Sequence, residues 1–110
     1  MQLTFKELRE ANNKRNREMT DLRGPSFSED WDLPQWFVAL TGEVGEAANI
    51  VKKMYRGDRI STLDEDLKDE LADIQIYLDL ICNHLKVDLE EIVIKKFNKS
   101  SLKFGSSVFM

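Results

Sequence analysis

The stretch that decides the fold is Ala39-Leu-Thr-Gly-Glu-Val-Gly-Glu-Ala-Ala-Asn-Ile-Val51, in which Glu43 and Glu46 are the only charged residues. A second couplet of acids, Glu70-Leu-Ala-Asp73, leads directly into an apolar run that ends at Ile81. Acids three residues apart lie on one side of a helix. Both couplets adjoin apolar positions, where an unpaired charge is costly. If the two helices pack face to face, four carboxylates meet in one small volume.

Such a cluster of carboxylates calls for a cation. At about 5 Å and an effective dielectric constant near 20, each like-charge pair costs roughly 3 kcal/mol. Carboxylate oxygens are the ligands that Mg²⁺ prefers, and Mg²⁺ in turn suits phosphate chemistry. The two couplets therefore predict a magnesium site that serves a phosphate-containing substrate.

The same acid spacing recurs elsewhere in the chain, so spacing alone identifies nothing. The other couplets have polar neighbours and are predicted to lie on solvated helix faces. They are Glu7/Glu10, Glu18/Asp21, Glu29/Asp32, Asp66/Asp69 and Asp88/Glu91.

Composition indicates one soluble, strongly helical domain. The chain has 110 residues, 42% hydrophobic and 33% charged. We take residues 1–110 as a single domain with a core at about 33–105, an N-terminal helix at 1–22 and a tail at 106–110. The net charge of −4 argues against binding to a nucleic acid polymer. The single Cys82 excludes an intrachain disulfide, and without a long apolar run no membrane span is expected, so we expect a cytoplasmic protein.

Capping signals predict four helices joined by short loops. Thr4-Phe-Lys-Glu7 and Thr62-Leu-Asp-Glu65 are capping boxes for the first and third helices. Asp32 and Asp88 are the expected N-caps of the second and fourth helices. Residues 22–32 contain Gly-Pro and are predicted to form a loop. No β-hairpin signal occurs, so the predicted fold is all-α, an antiparallel four-helix bundle.

Apolar residues at three- and four-residue intervals predict the buried faces of the two central helices. On the second helix the predicted core stripe is Leu33, Phe37, Leu40, Val44, Ala47, Val51 and Met54. On the third it is Leu67, Leu71, Ile74, Leu78, Ile81 and Leu85. A bundle this small cannot bury all its large apolar residues, so a homodimer or a homotetramer is expected. The residues in surplus include Trp31, Trp36, Phe97, Phe104 and Phe109.

Gly42 and Gly45 lie inside the second predicted helix, where each costs about 1 kcal/mol of helix propensity. Two explanations are open: another backbone or a ligand comes close, or the helix packs tightly against a neighbour.

Four segments of the chain together resemble the MazG-like all-α nucleoside triphosphate pyrophosphohydrolases. These segments are Gly42-Glu-Val-Gly-Glu-Ala-Ala-Asn-Ile-Val-Lys-Lys53, Glu70-Leu-Ala-Asp-Ile-Gln-Ile-Tyr-Leu78, Val87-Asp-Leu89 and Lys95-Lys-Phe-Asn98. The family signature is Glu-x-x-Glu, a spacer, then Glu-x-x-Asp, and here 23 residues separate Glu46 from Glu70. The resemblance extends over residues 33–105.

The resemblance implies Mg²⁺-dependent hydrolysis of a nucleoside or deoxynucleoside triphosphate to the monophosphate and pyrophosphate, a reaction that cleans the nucleotide pool. The metal ligands and catalytic acids would be Glu43, Glu46, Glu70 and Asp73. Mn²⁺ is a possible substitute for Mg²⁺. One of the four carboxylates would take the proton of the attacking water, and the sequence leaves open which one.

Seven further residues are expected at the substrate. Lys53 is expected to contact a phosphate. The resemblance implies that Lys96, Asn98 and Lys103 belong to a C-terminal segment that closes over the nucleotide, from a neighbouring helix or from a second subunit. Contacts to the base or sugar are expected from Tyr77, Trp31 and Asn12. Each has a plain structural alternative, such as a solvated lysine or a core aromatic ring. The base preference is not readable from the sequence.

Three other functions were weighed. A phosphoribosyl-ATP pyrophosphatase uses similar acidic couplets, and a non-catalytic helical module would keep the fold while binding a nucleotide or a partner. A carboxylate-bridged di-iron bundle requires Glu-x-x-His, which does not occur in this chain. His84 is expected at the surface, and Cys82 is expected to fill the core.

Overall fold

The computed structural model describes residues 2–24 and 31–110, which form four α-helices and no strand. The helices are α1 (Phe5–Arg23), α2 (Leu33–Tyr55), α3 (Leu63–His84) and α4 (Leu89–Phe104). The all-α prediction is confirmed for this part of the chain. Most of the predicted loop at residues 22–32 lies outside the described residues.

Side-chain caps fix the starts of three helices as the sequence predicts. Thr4 accepts a hydrogen bond from the backbone N–H three residues ahead, at 3.1 Å, but the predicted capping box is incomplete because Glu7 Oε1 accepts from the Thr4 hydroxyl instead of the Thr4 N–H. Asp32 forms a complete capping box, because its carboxylate accepts from the Gln35 N–H at 3.0 Å while Gln35 Oε1 accepts from the Asp32 N–H at 2.9 Å. Asp88 caps α4 in the same way as Thr4 caps α1, at 3.2 Å.

The capping box predicted at Thr62 does not form. The Thr62 backbone is already in the helical region, at φ −96° and ψ −4°, whereas a capping residue needs an extended conformation to aim its side chain at the next N–H groups. Its hydroxyl instead donates to Asp66 Oδ2 at 3.0 Å.

The helices α2 and α3 form an antiparallel pair that carries the core. Near the start of α2, Trp36 packs against Leu80 and Ile81 from the end of α3. Toward the end of α2, Ile50 lines the same cleft as Asp66 from the start of α3. The helix α1 packs against α3, and α4 packs against α1. No helix in residues 2–24 and 31–110 has both the length and the apolar character needed to cross a membrane.

A buried polar network joins α1 to α3. The carboxylate of Asp79, which is only 1% exposed, accepts from Arg9 Nε at 3.0 Å and from Asn12 Nδ2 at 2.9 Å. Arg9 Nη2 also donates to the Val87 carbonyl at 2.9 Å. Both carboxylate oxygens of Asp79 are therefore paired, as a buried charge requires.

Several residues of each predicted core stripe are exposed instead of buried. On α2, Phe37, Val44 and Val51 are about half exposed, and on α3 the same holds for Leu71 and Leu85. The face of α2 that meets α3 is turned toward Trp36 and Ile50, which are buried, and toward the glutamates of the first couplet, which lie close to Glu70. The apolar period is the same for two adjoining stripes, so the period alone could not decide which stripe faces α3.

Candidate functional site

Three carboxylates from α2 and α3 converge at the middle of the helix pair. Glu43 and Glu46 from α2 and Glu70 from α3 each present an oxygen, and these three oxygens lie within 4.8 Å of one another. Glu43 and Glu70 are half-buried, and Glu46 is exposed. The antiparallel pairing of α2 and α3 thus brings together residues that are far apart in the sequence.

Asp73 lies one helical turn beyond Glu70 and outside this closest trio. Its negative charge nevertheless reaches the trio, because it is among the causes that raise the pKa of both Glu46 and Glu70. The structure therefore brings three of the four predicted acids together, and Asp73 lies near enough for its charge to act on two of them.

Neighbouring acids raise the pKa of two members of the cluster. A hydrogen bond with Glu70, followed by the negative charge of that residue, raises the pKa of Glu46 above its ordinary value. A hydrogen bond with Glu43, followed by partial burial, raises the pKa of Glu70. Both shifts have the sign expected when like charges share a site without a counter-ion.

One oxygen of the cluster has no partner in the described part of the chain. Glu70 Oε2 is buried from solvent and receives no hydrogen bond there. A buried carboxylate oxygen without a donor is costly and is rare in native proteins. This atom points to a missing positive partner at the cluster.

A cleft of about 280 Å³ opens beside the acids. Its lining is Glu46, Asn49, Ile50, Asp66, Asp69 and Glu70. Asp66 and Asp69 were predicted as solvated surface, so their presence here was missed. The signal that could have revealed them is helical position, since Asp66 precedes Glu70 by one turn on the same face.

A chain of aromatic rings leads away from the acids. The Trp36 ring centroid is 6.4 Å from that of Tyr77 and 4.8 Å from that of Trp31, with the two tryptophans edge to face. Partial burial, followed by the charges of Glu43 and Asp73, raises the pKa of Tyr77. Tyr77 therefore adjoins the acid cluster, whereas Trp31 packs on the core beyond Trp36.

A second cavity, of about 560 Å³, lies on the side of Trp36 toward α1. Apart from Trp36 and Leu80 its lining is polar or basic: Asn13, Asn16, Arg17, Asn83, His84 and Lys86. Asn83 Nδ2 donates to Asn13 Oδ1 at 2.8 Å, which ties α3 to α1 along this cavity. Among residues 2–24 and 31–110 no carboxylate lines it, in contrast with the cleft at the acids.

Lys53 lies in the last turn of α2, seven residues after Glu46, and is half-buried. The pKa of Asp58 is lowered chiefly by a hydrogen bond with Arg56, and the charge of Lys53 adds to this effect. Lys53 therefore lies at the end of α2, about 10 Å along the helix axis from the acids.

The three predicted substrate residues of α4 are not brought to the acids within one chain. Lys96 borders an apolar surface beside Phe97, and Lys103 Nζ lies 5.8 Å from the centroid of the Phe104 ring. Asn98 pairs with the backbone of Met110, donating from Nδ2 to its carbonyl at 3.0 Å and accepting from its N–H at 2.8 Å. The tail thus folds back on α4.

Asn12 is buried in the seam between α1 and α3, where its amide donates to Asp79. The structure therefore gives it a part in the polar network that holds α1. Cys82 is buried, and burial raises the pKa of its thiol, so it fills the core as predicted. His84 is exposed, as predicted.

Comparison with known proteins gives one partial similarity. No protein-family model matches the chain, and no solved structure matches it significantly. Over 65 residues the chain is 38% identical to the "Gene 37 protein" of Mycobacterium phage L5. The aligned segment covers 56% of this chain and 57% of that protein, so the chain matches a little over half of its relative's length.

Proposed function

We propose that the chain is a MazG-like nucleoside triphosphate pyrophosphohydrolase, which converts a nucleoside or deoxynucleoside triphosphate and water to the monophosphate and pyrophosphate. The observation that carries this proposal is the trio Glu43, Glu46 and Glu70 with the unpaired, buried Glu70 Oε2. The resemblance of the two acidic couplets to the family signature supplies the reaction class.

The acid cluster fits Mg²⁺ by its donor chemistry. The three oxygens that converge are carboxylate oxygens, the donors that Mg²⁺ and Mn²⁺ share, and among the described residues no histidine or cysteine joins the group to favour a softer metal. A divalent cation would also give Glu70 Oε2 its missing partner. Glu43, Glu46, Glu70 and Asp73 are the residues that would hold it. The chemistry it supplies when bound is neutralisation of the triphosphate charge and a lowered pKa of water.

The chain's own residues then act on the substrate and on the proton. One carboxylate that is not fully used in binding the metal accepts the proton of the attacking water. Asp66 and Asp69 add negative charge to the cleft and would repel a triphosphate that arrives without its cation. Lys53, two turns beyond Glu46, is placed to meet a phosphate chain lying along α2.

The base is proposed to bind on the aromatic side of the acids. Tyr77 adjoins Glu43, and Trp36 separates Tyr77 from the 560 Å³ cavity. Trp36 and Glu43 are seven residues apart on one face of α2, about 10 Å along the axis, a distance that an extended nucleotide can span. The amides of Asn13 and Asn83 offer donors and acceptors for a base edge.

Two alternatives share the same geometry. A phosphoribosyl-ATP pyrophosphatase would use the same acids on a different nucleotide, and a non-catalytic module would bind without turnover. We further propose that the protein works in the cytoplasm as a homo-oligomer, a homodimer or a homotetramer. The lysines of α4, remote from the acids of their own chain, are then available to a second subunit's substrate.

The test is pyrophosphate release from a panel of canonical and damaged nucleoside and deoxynucleoside triphosphates, with Mg²⁺ and with EDTA. We expect pyrophosphate and monophosphate in equal amounts, and only when Mg²⁺ is present. Turnover of phosphoribosyl-ATP alone would move the assignment to the first alternative. Metal-dependent nucleotide binding without any product would favour the second.

A further inference from the structure

The middle of α1 carries an unbroken run of six polar residues, Asn12-Asn-Lys-Arg-Asn-Arg17. Its first member fixes the run to α3, because the buried Asn12 amide donates to Asp79 Oδ2 at 2.9 Å and to the Ile76 carbonyl at 3.5 Å. Ile76 is the sequence neighbour of Tyr77, the ring that adjoins the acid cluster. This part of α1 therefore runs beside the aromatic side of the acids.

Arg15 lies on the side of this run that is turned toward Tyr77. It follows Asn12 by three residues, so both side chains project from one side of α1, the side that contacts α3. Electrostatics agrees with this placement. Partial burial, and then the negative charges of Glu43 and Asp73, raise the pKa of Tyr77. The positive charge of Arg15 opposes that rise, so Arg15 acts on the same hydroxyl as the acid cluster does.

The guanidinium of Arg15 has donors to spare for a ligand. Within residues 2–24 and 31–110 it makes no hydrogen bond and no salt bridge, in contrast with Arg9 of the same helix, which is paired with Asp79. The planar fork of an arginine matches the oxygens of a phosphate in pairs. An exposed arginine beside a site of this kind is therefore suited to hold an anion.

We infer that Arg15 binds the phosphate that is bonded to the sugar of the nucleotide, an inference that rests on the proposed function. The acids would hold the far end of the triphosphate with its cation, and the base would bind beside Trp36. The phosphate next to the sugar then lies between these two ends, beside Tyr77, whose ring centroid is 6.4 Å from that of Trp36. The polar network around Asp79 fixes α1 to α3 and thereby positions the arginine.

Lys53 serves the opposite end of the substrate in this arrangement. Along α2 the order is Trp36, Glu43, Glu46 and Lys53, so the lysine lies beyond the acids and away from the aromatic rings. Arg15 and Lys53 would therefore flank the acids from two sides. One cation meets the phosphate that stays with the nucleoside, and the other meets the phosphates that leave as pyrophosphate.

Binding of the two halves of the substrate, measured by isothermal titration calorimetry, tests this inference. The probes are the canonical nucleoside and deoxynucleoside monophosphates, their parent nucleosides, and pyrophosphate with Mg²⁺. Arg15→Ala is expected to raise the Kd of a monophosphate at least about tenfold and to leave the Kd of its parent nucleoside and of pyrophosphate unchanged. Arg15→Lys keeps the charge without the planar fork and is expected to restore part of the loss.

The matched control is Lys14→Ala, which removes the same charge from the neighbouring, exposed position of α1. It is expected to leave all three affinities unchanged, because Lys14 is turned by about 100° from Arg15. Circular dichroism checks that each variant is folded, and Arg15→Gln, which keeps a polar side chain, replaces Arg15→Ala should the alanine variant lose helicity.

Equal effects of Arg15→Ala and Lys14→Ala would overturn the inference, because they would show a general effect of charge instead of a contact. A wild-type protein that binds every nucleoside as tightly as its monophosphate would overturn it too, even if pyrophosphate release stands. Conversely, monophosphate binding that depends on Arg15 in a protein that releases no pyrophosphate would support the phosphate site and remove the proposed reaction.

Discussion

The carboxyl of Glu46 on α2 lies close to that of Glu70 on α3, with one oxygen from each within 4.8 Å of the other, and the neighbouring Glu70 raises the pKa of Glu46. The two residues are separated by 23 positions of sequence and are joined by the antiparallel pairing of their helices. This contact turns two ordinary acidic couplets into one site with a need for positive charge.

The stability of the metal-free protein should therefore fall where these acids ionise. The folded-state pKa values of Glu46 and Glu70 are raised above 4.5, so their contribution to stability is complete below that pH and is lost as pH rises through the raised values. Mg²⁺ binds the ionised acids, so the rise in Tm that it causes should grow across the same pH range. Thermal unfolding from about pH 4 to about pH 8, with EDTA and with Mg²⁺, measures both effects.

The control for this prediction is Glu70→Gln, which removes the central charge and preserves the shape of the side chain. Its Tm in EDTA should change less with pH than that of the wild type, and Mg²⁺ should no longer raise it. An Mg²⁺ effect that is the same at every pH, or that Glu70→Gln retains, would contradict a metal site built on these acids.

Arg9→Ala should destabilise the fold strongly, because Arg9 joins α1 to Asp79 of α3. It would leave Asp79, 1% exposed, without its charged partner, and such a loss costs about 3 kcal/mol. Chemical denaturation monitored by circular dichroism gives the free energy of unfolding. Lys14→Ala, at an exposed position of the same helix, is the matched control and should change that free energy by less than about 0.5 kcal/mol. Equal effects of the two substitutions would show that the network does not hold α1.

Gly45→Ala should stabilise α2 by about 1 kcal/mol. Nothing in the structure lies within 4 Å of a Cβ added at this position, so the extra methyl group meets no neighbour. Thermal unfolding measures the gain, and pyrophosphate release from the same sample shows whether a ligand needs the space. A higher Tm with lost turnover would mean that the substrate comes close to the helix at Gly45. A lower Tm would mean that a second subunit comes close to the helix at this position.

The sequence predicted most of the fold from local signals. The caps at Thr4, Asp32 and Asp88 depend on contacts within four residues, and all three form. The rotation of α2 about its axis was not predicted, because the stripe through Val44 and the adjoining stripe through Ile50 have the same apolar period. Only the partner helix decides which of them is covered, and that information is not local.

The sequence predicted only part of the candidate site, because the rest depends on contacts that are not local in the chain. The pairing of Glu46 with Glu70 follows from two apolar contexts and a family resemblance, and the structure places both in one cluster. The sequence did not predict that Asp66 and Asp69 line the cleft, or that Asn12 donates to Asp79. These contacts join residues from different helices, and their neighbours in sequence are polar and typical of solvated surface.

The most direct test of the account is pyrophosphate release by Glu46→Ala and Glu70→Gln, each compared with the wild type and with Glu18→Ala. Glu18 belongs to an acid couplet on an exposed face of α1 and serves as the matched control. We predict that both site substitutions lower turnover by at least about 100-fold with helicity unchanged, while Glu18→Ala keeps full activity. Turnover that persists in both site variants would contradict the central claim that these carboxylates form the active centre.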